Sequence, residues 1–306
     1  MKKIFYSLLL VSLCMLHIQA QQLTVGSYNI RYDSSDDAKK GNGWQQRCPV
    51  LCQLVTYNDF DVFGAQEVLH NQLNDMLREM PQYGYVGVGR DDGKTAGEYS
   101  PIFYKKDKYT VIKSGHFWLS EQTDYPNQGW DAVLPRICTY AELQDKENGM
   151  KLWFFNLHMD HVGVEARRES SKLVLKKVGE MCGNDPVIVT GDFNVDQNNE
   201  SYHVLNNSPL FDDSYEKAAV RYALNGTFNN FNTNIKTDSR IDHIFVSPEF
   251  KVERYGILTD TYRSPATEHD IVKSGDFPSE ISLEKNIARL PSDHFPVKVI
   301  LNYQKK

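Results

Sequence analysis

The sequence predicts an α/β fold in which two packed β-sheets are flanked by helices. Short runs rich in β-branched and aromatic residues recur along the 306-residue chain, and the helical segments between them are too few for strict βαβ alternation. No GxGxxG or GxxxxGKS loop is present, which argues against a doubly wound dinucleotide fold and a P-loop fold. Length alone allows about two domains. However, past residue 20 there is no repeat, no low-complexity block and no Pro/Gly/Ser linker, so residues 21–306 are expected to form one domain.

Residues 1–20 stand apart from this pattern. Lys2 and Lys3 precede an apolar stretch from Ile4 to Leu16, and Ile18-Gln19-Ala20 follows before Gln21-Gln22. This order of charged, apolar and small residues predicts a secretory signal peptide cleaved after Ala20. The run is shorter than the ~20 apolar residues that span a bilayer. A lipoprotein signal at Cys14 is disfavoured by the bulky Leu13 before it. Export to the periplasm or the extracellular space is therefore expected, with no transmembrane segment in the mature chain.

The predicted strands cover residues 23–30, 61–66, 101–104, 136–143, 151–158, 186–190, 241–246 and 296–301. Residues 45–57, 70–79 and 165–181 have helical character, the last with Val174, Val178 and Met181 on one face. The aromatic set Phe117-Trp118 and Trp153-Phe154-Phe155 reads as core, while Trp130 falls in a loop-like stretch and is a candidate for the wall of a pocket. Cys48, Cys52, Cys138 and Cys182 have no second Cys pair or His-rich tract beside them and read as small core residues.

Composition narrows the function. With 34 Lys plus Arg against 40 Asp plus Glu the chain carries −6, and loss of Lys2 and Lys3 takes it to −8. No global positive field exists to draw in nucleic acid or anionic lipid, so an anionic partner must be captured locally. The 41% hydrophobic content excludes a disordered tail.

The informative residues lie at strand ends. Asn29 closes the first strand, Gln66-Glu67 the second and His158 the fifth. Gly191-Asp192-Phe193-Asn194 follows the sixth, Asp242-His243 sits in the seventh, and Ser292-Asp293-His294 opens the last. Acids, amides and imidazoles at strand ends converge on one rim of a sandwich, where rigid backbone holds them. The hard oxygen ligands Glu67, Asn29, Asp192 and Asp293 suit Mg²⁺, with Mn²⁺ or Ca²⁺ as alternatives, whereas zinc would ask for several His or Cys. Mg²⁺ takes few protein carboxylates and completes its shell with water and phosphate oxygens, which points to a phosphoester substrate. His158 and His294 supply proton transfer near neutral pH, and Arg136 supplies a fork of donors for a phosphate oxygen.

In these motifs the chain resembles the endonuclease/exonuclease/phosphatase superfamily, which includes deoxyribonuclease I, exonuclease III, bacterial sphingomyelinase and inositol-polyphosphate 5-phosphatases. The matched segments are Tyr28-Asn29, Gln66-Glu67, Gly97-Glu98 before Ile102-Phe103-Tyr104, Pro135-Arg136, Asn156-Leu157-His158, Gly191-Asp192-Phe193-Asn194, Arg240-Ile241-Asp242-His243 and Ser292-Asp293-His294. They keep the family order over residues 23–301. The resemblance implies a four-layered α/β/β/α sandwich and metal-dependent phosphoester hydrolysis. It makes Glu67 the principal metal ligand, with Asn29 and Asp293 beside the ion. Asp192 and Asn194 match the pair that orients the attacking water and holds the phosphate, and His294 resembles the base, oriented by Asp242. His158 matches the histidine that binds the phosphate or protonates the leaving group, Glu98 its carboxylate partner, and Arg136 a phosphate-contacting arginine. The two histidine roles are interchangeable at this level.

Two departures bear on the substrate. Leu69 and Ala96 stand where deoxyribonuclease I carries an arginine and a tyrosine that contact the DNA groove, so duplex contacts are missing while the phosphoester chemistry is retained. His161 and the basic pair Arg167-Arg168 are additional, and are candidates for binding a second anionic group, although the alternating charge around the two arginines favours a solvated helix face. The expectation is an exported, monomeric phosphatase or phosphodiesterase acting on a small polar phosphoester such as a phosphorylated sugar, glycan or inositol. The alternatives are an extracellular nuclease acting on DNA or RNA, a sphingomyelinase-like phospholipase and a non-catalytic binding module.

Overall fold

Alternating residues along the predicted strands form two apolar faces, and the chain buries both. The computed structural model describes residues 21–266, 271–272 and 275–303. The expected leader, residues 1–20, lies outside them. The first sheet has seven strands in the order β10 (Val220–Tyr222), β12 (Phe250–Ile257), β17 (Val297–Tyr303), β1 (Gln21–Asn29), β2 (Val62–Gln66), β4 (Ile102–Lys105) and β3 (Tyr83–Val86). The second has six, in the order β5 (Tyr109–Trp118), β6 (Ile137–Asp145), β7 (Lys151–His158), β8 (Val187–Asp192), β11 (Asp242–Val246) and β9 (Asp212–Asp213). Two small pairs lie apart from these sheets, β13 (Tyr262–Pro265) with β16 (Asn286–Arg289), and β14 (Ile271–Val272) with β15 (Leu283–Glu284).

The helices are α1 (Ser35–Lys39), α2 (Trp44–Tyr57), α3 (His70–Glu79), α4 (Val164–Met181), α5 (Glu200–Asn206) and α6 (Ser214–Lys217). Three apolar cores show how the layers stack. Leu23, Val25 and Val62 of the first sheet meet Leu143, Phe154, Ile188 and Ile244 of the second. On the outer face of the first sheet, Tyr28, Phe63 and Phe103 pack on Trp44, Leu51 and Val55 of α2 and on Leu73 and Met76 of α3. On the outer face of the second, Phe155, Val189 and Phe245 pack on Val174 and Val178 of α4 and on Tyr202 and Leu205 of α5. The order is thus helix, sheet, sheet, helix, the arrangement the resemblance implies.

The four cysteines are buried and unbridged, with Cys48 Sγ and Cys52 Sγ 4.0 Å apart. Phe154 and Phe155 are fully buried, as expected for core. Trp130 does not line the cleft described below. Leu134 from the same loop does.

Candidate active site

Residue parity explains why the site lies where it does. In β1, Leu23 and Val25 face the other sheet, so two-residue periodicity brings Ser27 and Asn29 to that face at the strand end. The same parity runs from Phe154 through Asn156 to His158 in β7, from Ile188 through Thr190 to Asp192 in β8, and from Val246 through Ile244 to Asp242 in β11. His158 and Asp242 are the register partners of Asp192 on either side. The inter-sheet face therefore changes from apolar to polar at one end of the sandwich.

A layer of buried amides joins the sheets at this change. Gln66 Nε2 donates to Asn156 Oδ1 at 2.7 Å, and Thr190 Oγ1 donates to the same oxygen at 3.0 Å. Asn156 Nδ2 donates to the carbonyls of Ala65 and Pro101 at 2.7 and 2.9 Å. The interior end of the site thus bonds the two sheets through these side chains, with Gln66 Oε1 left without a hydrogen-bond partner.

Above this layer the acids gather. Asn29 Nδ2 donates to Glu67 Oε1 at 3.0 Å and to Asp192 Oδ2 at 2.9 Å. Glu67 is not on a helix. It adopts a left-handed φ of 61°, uncommon for this residue type, immediately after β2. The turn is held by Ile30 N–H on the Gln66 carbonyl at 3.1 Å, by Tyr99 N–H on the Val68 carbonyl at 2.8 Å, and by Tyr32 N–H on Glu67 Oε2 at 3.1 Å. Asn194 is also left-handed, φ 51°, and its N–H bonds Asp192 Oδ1 at 2.9 Å. Glu67, Asp192 and His158 offer ligand atoms within 4.8 Å of one another. This oxygen-rich donor set fits a hard divalent cation.

The two histidines lie close to the same carboxylate but in opposite electrostatic surroundings. His158 Nε2 is 3.5 Å and His294 Nε2 3.8 Å from Asp192 Oδ2. Burial, reinforced by Arg136 and Arg90, holds the His158 imidazole well below its ordinary range. Its Nε2 accepts from Asn194 Nδ2 at 3.1 Å, because an amide nitrogen can only donate. Burial opposes charge on His294 as well, but Asp242 and Asp192 outweigh it and hold that ring well above its ordinary range. His294 Nδ1 donates to Asp242 Oδ2 at 2.9 Å. Burial and the neighbouring Asp242 push the Asp192 carboxyl up to about 7, against the pull of His294.

A cationic wall completes a cleft of about 600 Å³. Arg136 Nε bonds Asp160 Oδ2 at 3.3 Å, Arg136 Nη2 meets His161 Nδ1 at 2.9 Å, and the buried Nη1 has no hydrogen-bond partner. Asp160 is itself fixed by Val162 N–H at 2.9 Å and Gly163 N–H at 2.8 Å.

All ten residues singled out from the sequence lie in or beside this cleft: Asn29, Glu67, Glu98, Arg136, His158, Asp192, Asn194, Asp242, Asp293 and His294. Three have surroundings that differ from expectation. Glu98 is gripped by Arg90 at 2.9 and 2.7 Å and stands 3.7 Å from His158 Nδ1, too far for a hydrogen bond. Asn29 turns its amide nitrogen to the carboxylates, and its Oδ1 accepts from Arg31 N–H at 3.0 Å. Asp293 is approached by Arg31 Nη1 at 3.6 Å, an atom that also lies 3.9 Å from Glu67 Oε2. Of the ambiguous residues, His243 is structural. It bonds the Val195 carbonyl at 2.9 Å and packs on Phe193, Tyr202 and Phe245.

Sequence reasoning missed Arg31, Arg90, Asp160 and Phe228. Asp160 was within reach, because it lies between His158 and His161. Arg31 depends on a left-handed φ of 58° and an anchor from Nε to Asp37 at 2.8 Å, neither of which has a local sequence signal.

Residues 26–294 match the profile of the endonuclease/exonuclease/phosphatase family. The chain belongs to this family. Membership makes it a phosphoester hydrolase, in a family whose members typically depend on a metal. The structure of a family protein from Bacteroides thetaiotaomicron is 52% identical, with a TM-score of 0.87, over 94% of this chain and 100% of that one. The mannosyl-6-phosphatase of the same species is 53% identical, with a TM-score of 0.85, over 92% of this chain and 100% of that one. A family protein from Bacteroides vulgatus is 38% identical, with a TM-score of 0.79, over 93% and 100% of the two chains. Among the described residues of this family member, no helix is long and apolar enough to cross a membrane.

Proposed function

We propose that the chain is an exported, Mg²⁺-dependent phosphatase that releases phosphate from a phosphorylated sugar. The observation that carries the substrate class is the 53% identity, over nearly the whole chain, to a mannosyl-6-phosphatase. The complete carboxylate, amide and histidine constellation supports turnover. Glu67 and Asp192, with Asn29 and Asp293 adjacent, would hold a hard divalent cation, which would stabilise charge on the phosphate and offset part of the carboxylate field around His294.

The protein's own groups do the rest. Asn194 and Arg136 hold the phosphate, the latter through its unpartnered Nη1. Water attacks phosphorus beside Asp192. Its proton passes to His294 Nε2, while Asp242 fixes Nδ1 and so the orientation of the ring. Asp242 and Asp192 favour the protonated ring, and a cation on Asp192 would weaken the second of these influences and so leave Nε2 freer to accept the proton. His158, neutral and carrying its hydrogen on Nδ1, hydrogen-bonds a phosphate oxygen, and the departing sugar oxygen takes its proton from solvent water as the P–O bond breaks. Leu69 and Ala96, at positions where groove contacts would be needed, weigh against duplex DNA.

Export rests on the order of residues in the first twenty positions, and an intact mass beginning at Gln21 in secreted material would test it. For the chemistry, we expect turnover of an aryl phosphate monoester in Mg²⁺ that EDTA abolishes and that exceeds turnover of the matching diester. Turnover indifferent to EDTA, or a preference for the diester, would overturn the proposal.

A further inference from the structure

We infer that Phe228 is the platform on which the sugar ring of the substrate lies, and so a specificity-determining residue. This rests on the reading of the chain as a sugar phosphatase. The cleft is far larger than a phosphate group and falls in the range of small-molecule sites, so it must also receive the leaving group. Most of its lining is charged or amide. The exceptions are Tyr32, Leu134, Phe228, Phe231 and Ile241, and of these Phe228 and Leu134 are the exposed ones, at 39% and 38%.

Phe228 is exposed but not loose. On its N-terminal side, Thr227 Oγ1 accepts from Ile241 N–H and Asp242 N–H at 2.9 and 3.1 Å, and the Thr227 carbonyl accepts from Phe295 N–H at 2.7 Å. On its C-terminal side, Asn229 N–H and Asn230 N–H both donate to the Asp293 carbonyl, at 2.7 and 3.1 Å. The backbone of Phe228 bridges that of His294, and the two rings meet edge to face with centroids 5.1 Å apart. Asn230 and Phe231 then take consecutive left-handed φ values of 51° and 55°, an unfavourable pair that this bonding pattern maintains. The chain thus fixes an aromatic ring, still open to the cleft, against the residue proposed to receive the proton.

The chemistry that fits this surface is a pyranose. One face of such a ring presents C–H groups, which pack on an aromatic face, while its hydroxyls remain free for Arg31, Asn230 and His161, all in the cleft lining. An acyclic polyol phosphate has the same phosphate and hydroxyls but no flat C–H face.

The test compares mannose 6-phosphate with glycerol phosphate as substrates of wild type, Phe228→Ala, Phe228→Leu and Phe228→Tyr in saturating Mg²⁺. The wild type should prefer the pyranose. The Ala and Leu variants should lose that preference by about 3- to 12-fold in the ratio of kcat/KM values, mainly through KM for mannose 6-phosphate, and Tyr should retain it. Leu keeps apolar volume without an aromatic face, so it reports on the platform even if Ala disturbs the loop. Equal losses on both substrates would overturn the inference and leave Phe228 only a support for His294. So would an unchanged preference in Ala and Leu. A wild type that does not distinguish the substrates would instead bring down the sugar-phosphatase reading, and the platform with it.

Discussion

Asp192 stands 3.5 Å from one imidazole and 3.8 Å from another, and the two rings differ in charge because of what else they face. His158 has Arg136 and Arg90 nearby, whereas His294 has Asp242 in hydrogen-bond contact. Environments this different give the two rings different tasks. If His294 takes the proton of water and His158 hydrogen-bonds the phosphate, His294→Gln and His158→Gln should each lower kcat by about 10²–10⁴ in saturating Mg²⁺. Losses below tenfold in both variants would remove both from the chemistry. At this scale the sequence was most legible for carboxylates and imidazoles at strand ends, since strand periodicity alone sends Asn29, His158, Asp192 and Asp242 to one rim. It was least legible for Arg31 and Phe228. The first depends on a left-handed backbone turn, and the second has the residue type of ordinary core and differs only in being left uncovered.

The elements tell a similar story about what local sequence encodes. Helix α3 and strand β7 fall within the residues expected from periodicity, and α2 and α4 begin one residue earlier than expected. The longest strands missed were β5 and β12, and both contain register irregularities, between Val111 and Lys113 in one and between Val252 and Arg254 in the other. An extra residue breaks the alternation on which strand recognition depends. Strand β5 also lies at a sheet edge and carries exposed polar residues through its middle.

The junction of β2 with β7 and β8 gives a direct test of the amide layer. A Cβ on Gly64 would collide with Asn156 Oδ1 and Thr190 Oγ1, the atoms that bond the two sheets. Gly64→Ala should lower the unfolding free energy in urea by about 2–4 kcal/mol through overpacking and a broken hydrogen-bond layer. Gly179→Ala in α4, where a Cβ meets nothing within 4 Å, should be neutral or stabilising by up to about 1 kcal/mol. A Gly64→Ala protein as stable as the wild type would show that the sheets do not depend on this close approach.

For the whole molecule, a net charge of −6 coexists with a site built for an anion. The cleft resolves this locally, with Arg90, Arg136 and His161 on its cationic wall and the carboxylates of Glu67, Asp192 and Asp293 available to a divalent cation. Burial also sets the response to acid. His243 is enclosed, and burial lowers its pKa from the ordinary value near 6.5. Between the folded and unfolded values the unfolded chain binds more protons. Stability is therefore intact above about pH 6.5 and falls as the pH drops through that window. His243→Gln should flatten the decline by up to about 1.4 kcal/mol per pH unit, measured as urea unfolding from pH 7 to pH 5 in EDTA. An unchanged slope would mean that His243 does not take part in acid unfolding.

The architecture was legible at this scale because ordered motifs at strand ends imply a common rim. The aromatic lining of the cleft was not, because Phe228 and Phe231 belong to the loop 223–241, whose side chains meet the site only after both sheets have formed. The most direct test of the account measures phosphate release from mannose 6-phosphate beside cleavage of plasmid DNA by the purified protein, each with Mg²⁺ and with EDTA. The account predicts rapid phosphate release that EDTA abolishes and little or no DNA cleavage. Efficient DNA cleavage with no release from mannose 6-phosphate would contradict it, as would release that persists in EDTA.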